Sequence, residues 1–541
     1  MVMELAKDFL AHAHEHITVS LRSVDPLVLT SATMVSTFTL VHLWNMHSDD
    51  IGIRRRLLTR FFSVVKRIPW VKAKIEKEIG KVREALHKTI HEHDGGMPFL
   101  SQLPADAVEA DNLIELIENY SKLEGPRYLE GKVSGAVFND EKDMEEMRVY
   151  GEVFKNFAWS NPLWPKLFPG VRKMEAEVVR MCCALMHADA EGCGTMSTGG
   201  TISILLACLA HRNRALKKGI LFPEMVIPTS AHAAFTKAAE VFRIRAVRVP
   251  VDPVTFKVDL RKMKNAITSR TCMLVGSAPN FPFGTVDDIV GIGLLGLKYD
   301  IPVHVDACLG GFILPFMDDT YPFDFRVPGV CSISADTHKY GLSPKGSSVV
   351  LYKNKGYLHN QYFCDADWQG GIYASSTLEG SRSGLNIALC WASLLYQGFN
   401  KYKQNALAVA AATKKIRDGI SSIPELRLQG SSDICIVSWT SDIIDIHRLY
   451  DLIGRKGWQL TNLQFPSGIH IMVTLNHTAD GVADALIADI RRAVNEIKSS
   501  PNTELEEAAA LYGMAQKIPD RSIVQEFAYA YLDACYSSPK S

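Results

Sequence analysis

The sequence predicts an α/β fold: a mostly parallel sheet covered by helices, a smaller α+β unit after it, and one apolar helix ahead of both. Three observations carry this expectation. Short β-branched runs at 225–227, 246–249, 272–275 and 303–305 alternate with helical patterns such as 201–217 and 286–299, the rhythm of parallel strands joined by crossover helices. After residue 397 the order becomes strand 433–439, helix 446–456, strand 469–475 and helix 481–499. Between 26 and 48 there is no Asp, Glu, Lys or Arg, and an apolar stretch of that length crosses a bilayer as a single helix.

The elements follow in chain order. Residues 1–25 precede the apolar stretch, which is followed at once by Arg54, Arg55, Arg56, Arg60, Lys66 and Arg67. The positive-inside rule therefore puts the N-terminus on the far side of a membrane and the bulk of the chain in the cytosol. Residues 49–110 form a basic linker with helical spacing between 61 and 93, 111–396 the large domain, and 397–541 the small one, whose tail at 504–536 reads as helix. Lysine plus arginine equals aspartate plus glutamate, 59 against 59, so no bulk charge argues for nucleic acid. The 11 cysteines lack the paired spacing of a disulfide framework or a zinc site, which fits a reduced compartment and no metal.

The chemistry gathers at strand ends, where open α/β sheets bind ligands. Lys339 lies in a polar loop between an apolar run ending at Ile333 and the strand 349–352, with His338 and Lys345 close by in sequence. A lysine amine that is partly desolvated or beside other cations can form a Schiff base with an aldehyde. Asp306 ends the run at 303–305 and is followed by Gly310 and Gly311; a carboxylate there can keep a pyridine nitrogen protonated. The run Gly192-Cys193-Gly194-Thr195-Met196-Ser197-Thr198-Gly199-Gly200-Thr201 leads into a helix and offers backbone N–H groups to a phosphate. His232 follows another strand and can stack on a ring or move a proton. A phosphate nest, a carboxylate and a lysine together make the equipment for pyridoxal 5'-phosphate.

These residues, with the segments 161–163, 168–177, 303–312, 332–348 and 367–375, give the whole chain a resemblance to the sphingosine-1-phosphate lyases, within the fold-type-I, group II decarboxylase-like pyridoxal phosphate enzymes. The resemblance implies a homodimer in the endoplasmic reticulum membrane, anchored by one helix, with its catalytic domain in the cytosol. It implies cleavage of the C2–C3 bond of phosphorylated sphingoid bases to a fatty aldehyde and phosphoethanolamine. On it, Lys339 holds the cofactor as a Schiff base, Asp306 pairs with the ring nitrogen, and His232 stacks on the ring. Gly194, Thr195 and His338 surround the cofactor phosphate, and Tyr373, Gly380 and Ser381 approach from the partner chain. Lys345 and Arg382 receive the substrate's phosphate.

The chain departs from the family pattern at Phe138, a usual tyrosine, Trp164, a usual histidine, Ile202, a usual glutamate, Phe283, a usual histidine, and Leu342, a usual tyrosine. Each change removes a donor, an acceptor or a proton carrier. Two other readings therefore stay open beside the lyase: a pyridoxal phosphate enzyme of altered substrate, such as an amino-acid decarboxylase, and an inactive scaffold derived from a lyase.

Overall fold

The computed structural model describes residues 68–500 and 521–539, apart from 95, 124, 126–127, 142, 318–320 and 433. The expected membrane helix at 26–48 lies outside them, as does the part of the expected tail helix before 521. Among the described residues no helix is long and apolar enough to cross a membrane. The chain divides into two compact units, one of residues 1–80 with 519–523 and one of 81–518 with 524–541. The strands and cavities described below belong to the second.

The helices are α1 (Pro69–His91), α2 (Ala110–Ser121), α3 (Met144–Phe157), α4 (Pro169–Leu185), α5 (Gly200–Lys217), α6 (Ala233–Phe242), α7 (Leu260–Ala266), α8 (Ile289–Tyr299), α9 (Lys355–Leu358), α10 (Gly384–Ser421), α11 (Ile446–Gly454), α12 (Val482–Ser499) and α13 (Arg521–Cys535). Strands β1 (Cys193–Ser197), β2 (Glu224–Pro228), β3 (Arg245–Val249), β4 (Thr271–Ser277), β5 (Val303–Asp306), β6 (Val330–Ala335) and β7 (Ser348–Tyr352) form one sheet in the order β1-β7-β6-β5-β4-β2-β3. The neighbours from β6 to β3 pair in parallel. Strand β7 runs antiparallel to both β1 and β6, so the sheet is mixed.

Alternation across the pleat sends successive side chains to opposite faces. In β4 this puts Leu274 into one apolar cluster with Val303, Val305 and Ile333, and Met273 and Val275 into another with Ile204, Met225 and Phe235. Both faces are thus covered, which explains strands that read as unbroken apolar runs. The first cluster continues into the second sheet, where Trp439, Ile469 and Ile471 are fully buried. That sheet is antiparallel in the order β10 (Arg427–Leu428), β11 (Ile436–Thr440), β13 (Gly468–Met472), β12 (Thr461–Leu463). A small hairpin of β8 (Phe363–Asp365) and β9 (Tyr373–Ser375) stands apart. Helix α10 serves both sheets and breaks at Gly398, with φ 59° and ψ 171°, a conformation that glycine adopts without a Cβ penalty.

Candidate active site

Lys339 sits in the loop between β6 and β7, and that loop is tied from several directions. The Tyr340 hydroxyl donates to Val473 O at 2.7 Å, and the Tyr402 hydroxyl from α10 donates to Gly341 O at 2.7 Å. Beneath it, Thr337 Oγ1 donates to Ser347 Oγ at 2.7 Å and Ser347 Oγ to Ser343 Oγ at 3.2 Å, all three side chains buried. Lys339 Nζ lies 2.9 Å from Asp336 Oδ2. Burial pulls the Lys339 ammonium down, but the negative charge of Asp336, aided by Cys308 and Asp306, outweighs it and the net shift is upward. Asp336 was missed from the sequence, although its place three residues before the lysine was a signal.

His338 has a defined tautomer. Its Nδ1 accepts from Ser347 N–H at 3.1 Å, so in the neutral ring the proton is on Nε2. Burial holds its pKa below the usual imidazole value, against the opposing pull of Asp336. Nε2 lies 3.9 Å from Asp336 Oδ2.

A cavity of about 320 Å³ is lined by Thr198, Gly199, Gly200, Thr201, Ile202, Ile204, His232, Pro279, Phe281, Asp306, Cys308, Leu309, Asp336, His338 and Lys339. It is large enough for a cofactor of modest size. Asp306 enters from the end of β5 and is nearly buried; its Oδ1 accepts from Cys308 N–H at 3.1 Å. His232 enters ahead of α6, where Nδ1 accepts from Ala234 N–H at 3.1 Å, and its ring meets Phe281 edge-on at 6.3 Å. Helix α5 starts without a side-chain cap, so its first turn presents backbone donors and the positive end of the helix dipole to the cavity. A Cβ on Gly200 would fall 2.6 Å from Asp336 Oδ2 and one on Gly199 3.2 Å from His338 Cε1. Only glycines let the two loops approach so closely. Asp336 Oδ1 is buried without a hydrogen-bond partner. An uncapped helix end, a carboxylate at a strand end and a part-buried lysine with an orphaned carboxylate oxygen beside it fit pyridoxal phosphate.

Lys339, Asp306, His232 and His338 thus converge, while other expected residues lie elsewhere. Gly194 and Thr195 correct the phosphate expectation: they are in β1, paired with Leu351 and Val350, and Thr195 Oγ1 accepts from the buried Gln361 at 2.9 Å. The cavity takes the later residues of the same run, Thr198 to Thr201. Arg382 is held by an ion pair within the chain. Its guanidinium forks onto Glu175 at 2.5 and 2.9 Å, with only 10% of the side chain exposed, so it is engaged within the chain. Lys345 does not line the Lys339 cavity; its Nζ lies 4.8 Å above the Phe138 ring and 3.5 Å from His338 O. Burial and the Lys339 charge lower its pKa.

Tyr373, in β9, and the segment holding Gly380 and Ser381 stand beside a second cavity of about 380 Å³, bounded by Pro162, Leu163, Phe363, Glu379 and Arg382 among others. Ser381 Oγ accepts from Asn161 Nδ2 at 3.0 Å. The two cavities are linked by Thr198 Oγ1, which donates to Glu379 Oε1 at 3.1 Å.

Of the departures, Phe138 is buried and packs edge-on to Tyr340 at 4.9 Å. Trp164 is 60% exposed and Phe283 is buried against Phe256 at 4.5 Å. Ile202 lines the Lys339 cavity, and Leu342 is buried with φ 58°, an uncommon conformation for a branched side chain.

Residues 149–439 match the family model described as the pyridoxal-dependent decarboxylase conserved domain. The chain belongs to that family, and within it to the sphingosine-1-phosphate lyases. It is 42% identical over 537 residues to "Sphingosine-1-phosphate lyase" of Drosophila melanogaster, covering 98% of each chain, and 40% identical over 543 residues to "Sphingosine-1-phosphate lyase 1" of Rattus norvegicus, covering 99% of this chain and 94% of the other. A solved structure of a Burkholderia pseudomallei sphingosine-1-phosphate lyase superposes with a TM-score of 0.75 at 35% identity, over 83% of this chain and 99% of that one.

Proposed function

We propose that this protein is a pyridoxal phosphate-dependent lyase that cleaves the C2–C3 bond of phosphorylated sphingoid bases, yielding a long-chain aldehyde and phosphoethanolamine. The observation that carries the reading is the convergence of Lys339, Asp306 and the uncapped start of α5 on one cavity, in a chain of this family. When bound, the cofactor supplies the electron sink that makes carbon–carbon cleavage accessible.

The protein's own residues do the rest. Lys339 is the amine that would hold the cofactor's aldehyde, and it must first lose its proton. Asp336, at 2.9 Å, stabilises the ammonium until then. Asp306 would hold the ring nitrogen, His232 would stack on the ring, and the first turn of α5 with His338 Nε2–H would receive the phosphate. The Lys339 amine, when not engaged with the cofactor, would be available within the cavity to carry a proton. Lys345 supplies a cation on the Phe138 side for the substrate's phosphate.

The reading extends to a homodimer, to a single-pass membrane anchor and to the endoplasmic reticulum. The β8–β9 hairpin supports a second protomer: Phe363, which lines the second cavity, is 55% exposed, and Trp368 and Ile372 in the turn after it are 55% and 80% exposed, apolar groups of the kind that protein interfaces cover. The charge-free stretch 26–48 and the arginines after it support the anchor, which suits a substrate that partitions into lipid.

The buried apolar side chains Phe138 and Phe283 favour one alternative, a cofactor-binding protein with weakened or altered turnover. The test is to reconstitute the full chain with pyridoxal phosphate, add a phosphorylated sphingoid base and measure aldehyde. Aldehyde release that disappears in Lys339→Ala is the expected result. Cofactor uptake without cleavage of any such base would leave the alternative standing.

A further inference from the structure

A chain of buried polar side chains runs from the floor of the Lys339 cavity into the sheet. Ser334 Oγ lies 3.5 Å from Asp306 Oδ1, the longest link, and His304 Nε2 lies 3.3 Å from the same hydroxyl. His304 Nδ1 is 2.9 Å from Ser332 Oγ, and Ser332 Oγ is 2.7 Å from His211 Nε2. Both histidines and both serines are 0–1% exposed, and His211 Nδ1 has no partner.

The direction of every bond follows from the donor inventory. An ionised Asp306 can only accept, so Ser334 spends its one proton on Oδ1. Ser334 Oγ then accepts from its neighbours, which agrees with the Cys308 thiol donating to it at 3.4 Å. His304 must donate from Nε2, which leaves Nδ1 to accept from Ser332. Ser332 in turn accepts from His211 Nε2–H, and the unpartnered Nδ1 of His211 is the bare acceptor expected where such a chain ends. Burial pushes both imidazoles down to about 3, so each is neutral and carries the single N–H that this ordering needs. Aligned hydrogen bonds in a dry interior polarise one another.

We infer that His211, Ser332, His304 and Ser334 form a positioning relay, all of whose protons point toward Asp306, and that the relay holds this carboxylate against the cofactor's ring nitrogen. The inference rests on the proposed pairing of Asp306 with that nitrogen. His211 and Ser332 are absent from the cavity lining, so they act through the chain alone.

The test measures, on the full-length protein, the equilibrium affinity for pyridoxal phosphate and for its analogue with C–H in place of the ring nitrogen. Their ratio is an internal control, because a loosened fold weakens both alike. Ser332→Ala and His211→Leu should each lower the wild-type preference for the nitrogen-bearing ring by about threefold to tenfold, the worth of one hydrogen bond. Binding of the analogue should stay unchanged. His211→Gln, which keeps an N–H donor, should restore the preference, and this pair decides the matter if Ser332→Ala does not fold. Asp306→Ala separates the two readings. If it abolishes the preference while the relay variants weaken both compounds equally or not at all, the relay is wrong and the ring-nitrogen pairing stands. If Asp306→Ala, too, leaves the preference intact, the pairing fails as well.

Discussion

Where Lys339 faces Asp306 and the first turn of α5, its neighbours are carboxylates, backbone donors, His232 and His338. Where the same loop turns toward Lys345, the neighbours are Phe138, Tyr340 and Leu342, packed into the apolar core. The first region is polar and braced from below by the Asp306 chain and the Thr337–Ser347–Ser343 hydroxyls. The second is held by ring packing and by one cation over a ring, a contact of modest strength. A polar region with partners inside the chain is fixed before any ligand arrives. An apolar one offers a ligand shape in place of hydrogen-bond partners.

The sharpest way to break this contrast is to remove the lysine. Lys339→Ala should cost roughly a thousandfold or more in aldehyde release, because the proposed covalent anchor and proton carrier go together. Absorbance of the protein–cofactor complex and a product assay would read the two losses separately.

Acid tests the bracing beneath Asp306. His211 and His304 have folded pKa values lowered to about 3 against about 6.5 in the unfolded chain. Below pH 6.5 the unfolded chain binds more protons, so this contribution is present above that pH and lost as pH falls. By pH 5 each histidine should have cost about 2 kcal/mol. Denaturant midpoints from pH 7 to pH 5 should fall; a flat or rising series would contradict two neutral buried imidazoles.

Gly200→Ala probes the approach of α5 to the lysine loop. A methyl group 2.6 Å from Asp336 Oδ2 must push the loops apart, and overpacking of about 1–3 kcal/mol should weaken cofactor binding about fivefold to a hundredfold. Titration with pyridoxal phosphate would show it.

The smallest change sharpens the other side. Phe138→Tyr places a hydroxyl near Lys345 and should raise turnover of a phosphorylated sphingoid base by about tenfold with cofactor affinity unchanged. Steady-state kinetics beside a cofactor titration would separate the two effects.

Much of this site was legible because its signals are local. A carboxylate at the end of an apolar run and a lysine before a glycine turn are patterns of a few residues, and Asp306 and Lys339 were found that way. The run from Gly192 to Thr201 was readable as a phosphate nest, but not where its strand ends and its nest begins. The backbone of Cys193–Ser197 becomes a strand only because β7, some 150 residues later, pairs with it. The ion pair of Arg382 was hidden for a similar reason: its partner Glu175 is 207 residues away, and nothing nearby in sequence marks the pairing. The relay below Asp306 draws on α5, β5 and β6 at once. Alternating Ser and His in apolar strands hints at buried polar contacts without saying which ones meet.

The hydrogen bond from Tyr340 to Val473 O spans 133 residues, and it has a bearing on biosynthesis. The residue beside the lysine is anchored to backbone that a ribosome makes long after the lysine itself has emerged. The Lys339 loop therefore gains this tether only after synthesis has passed Val473.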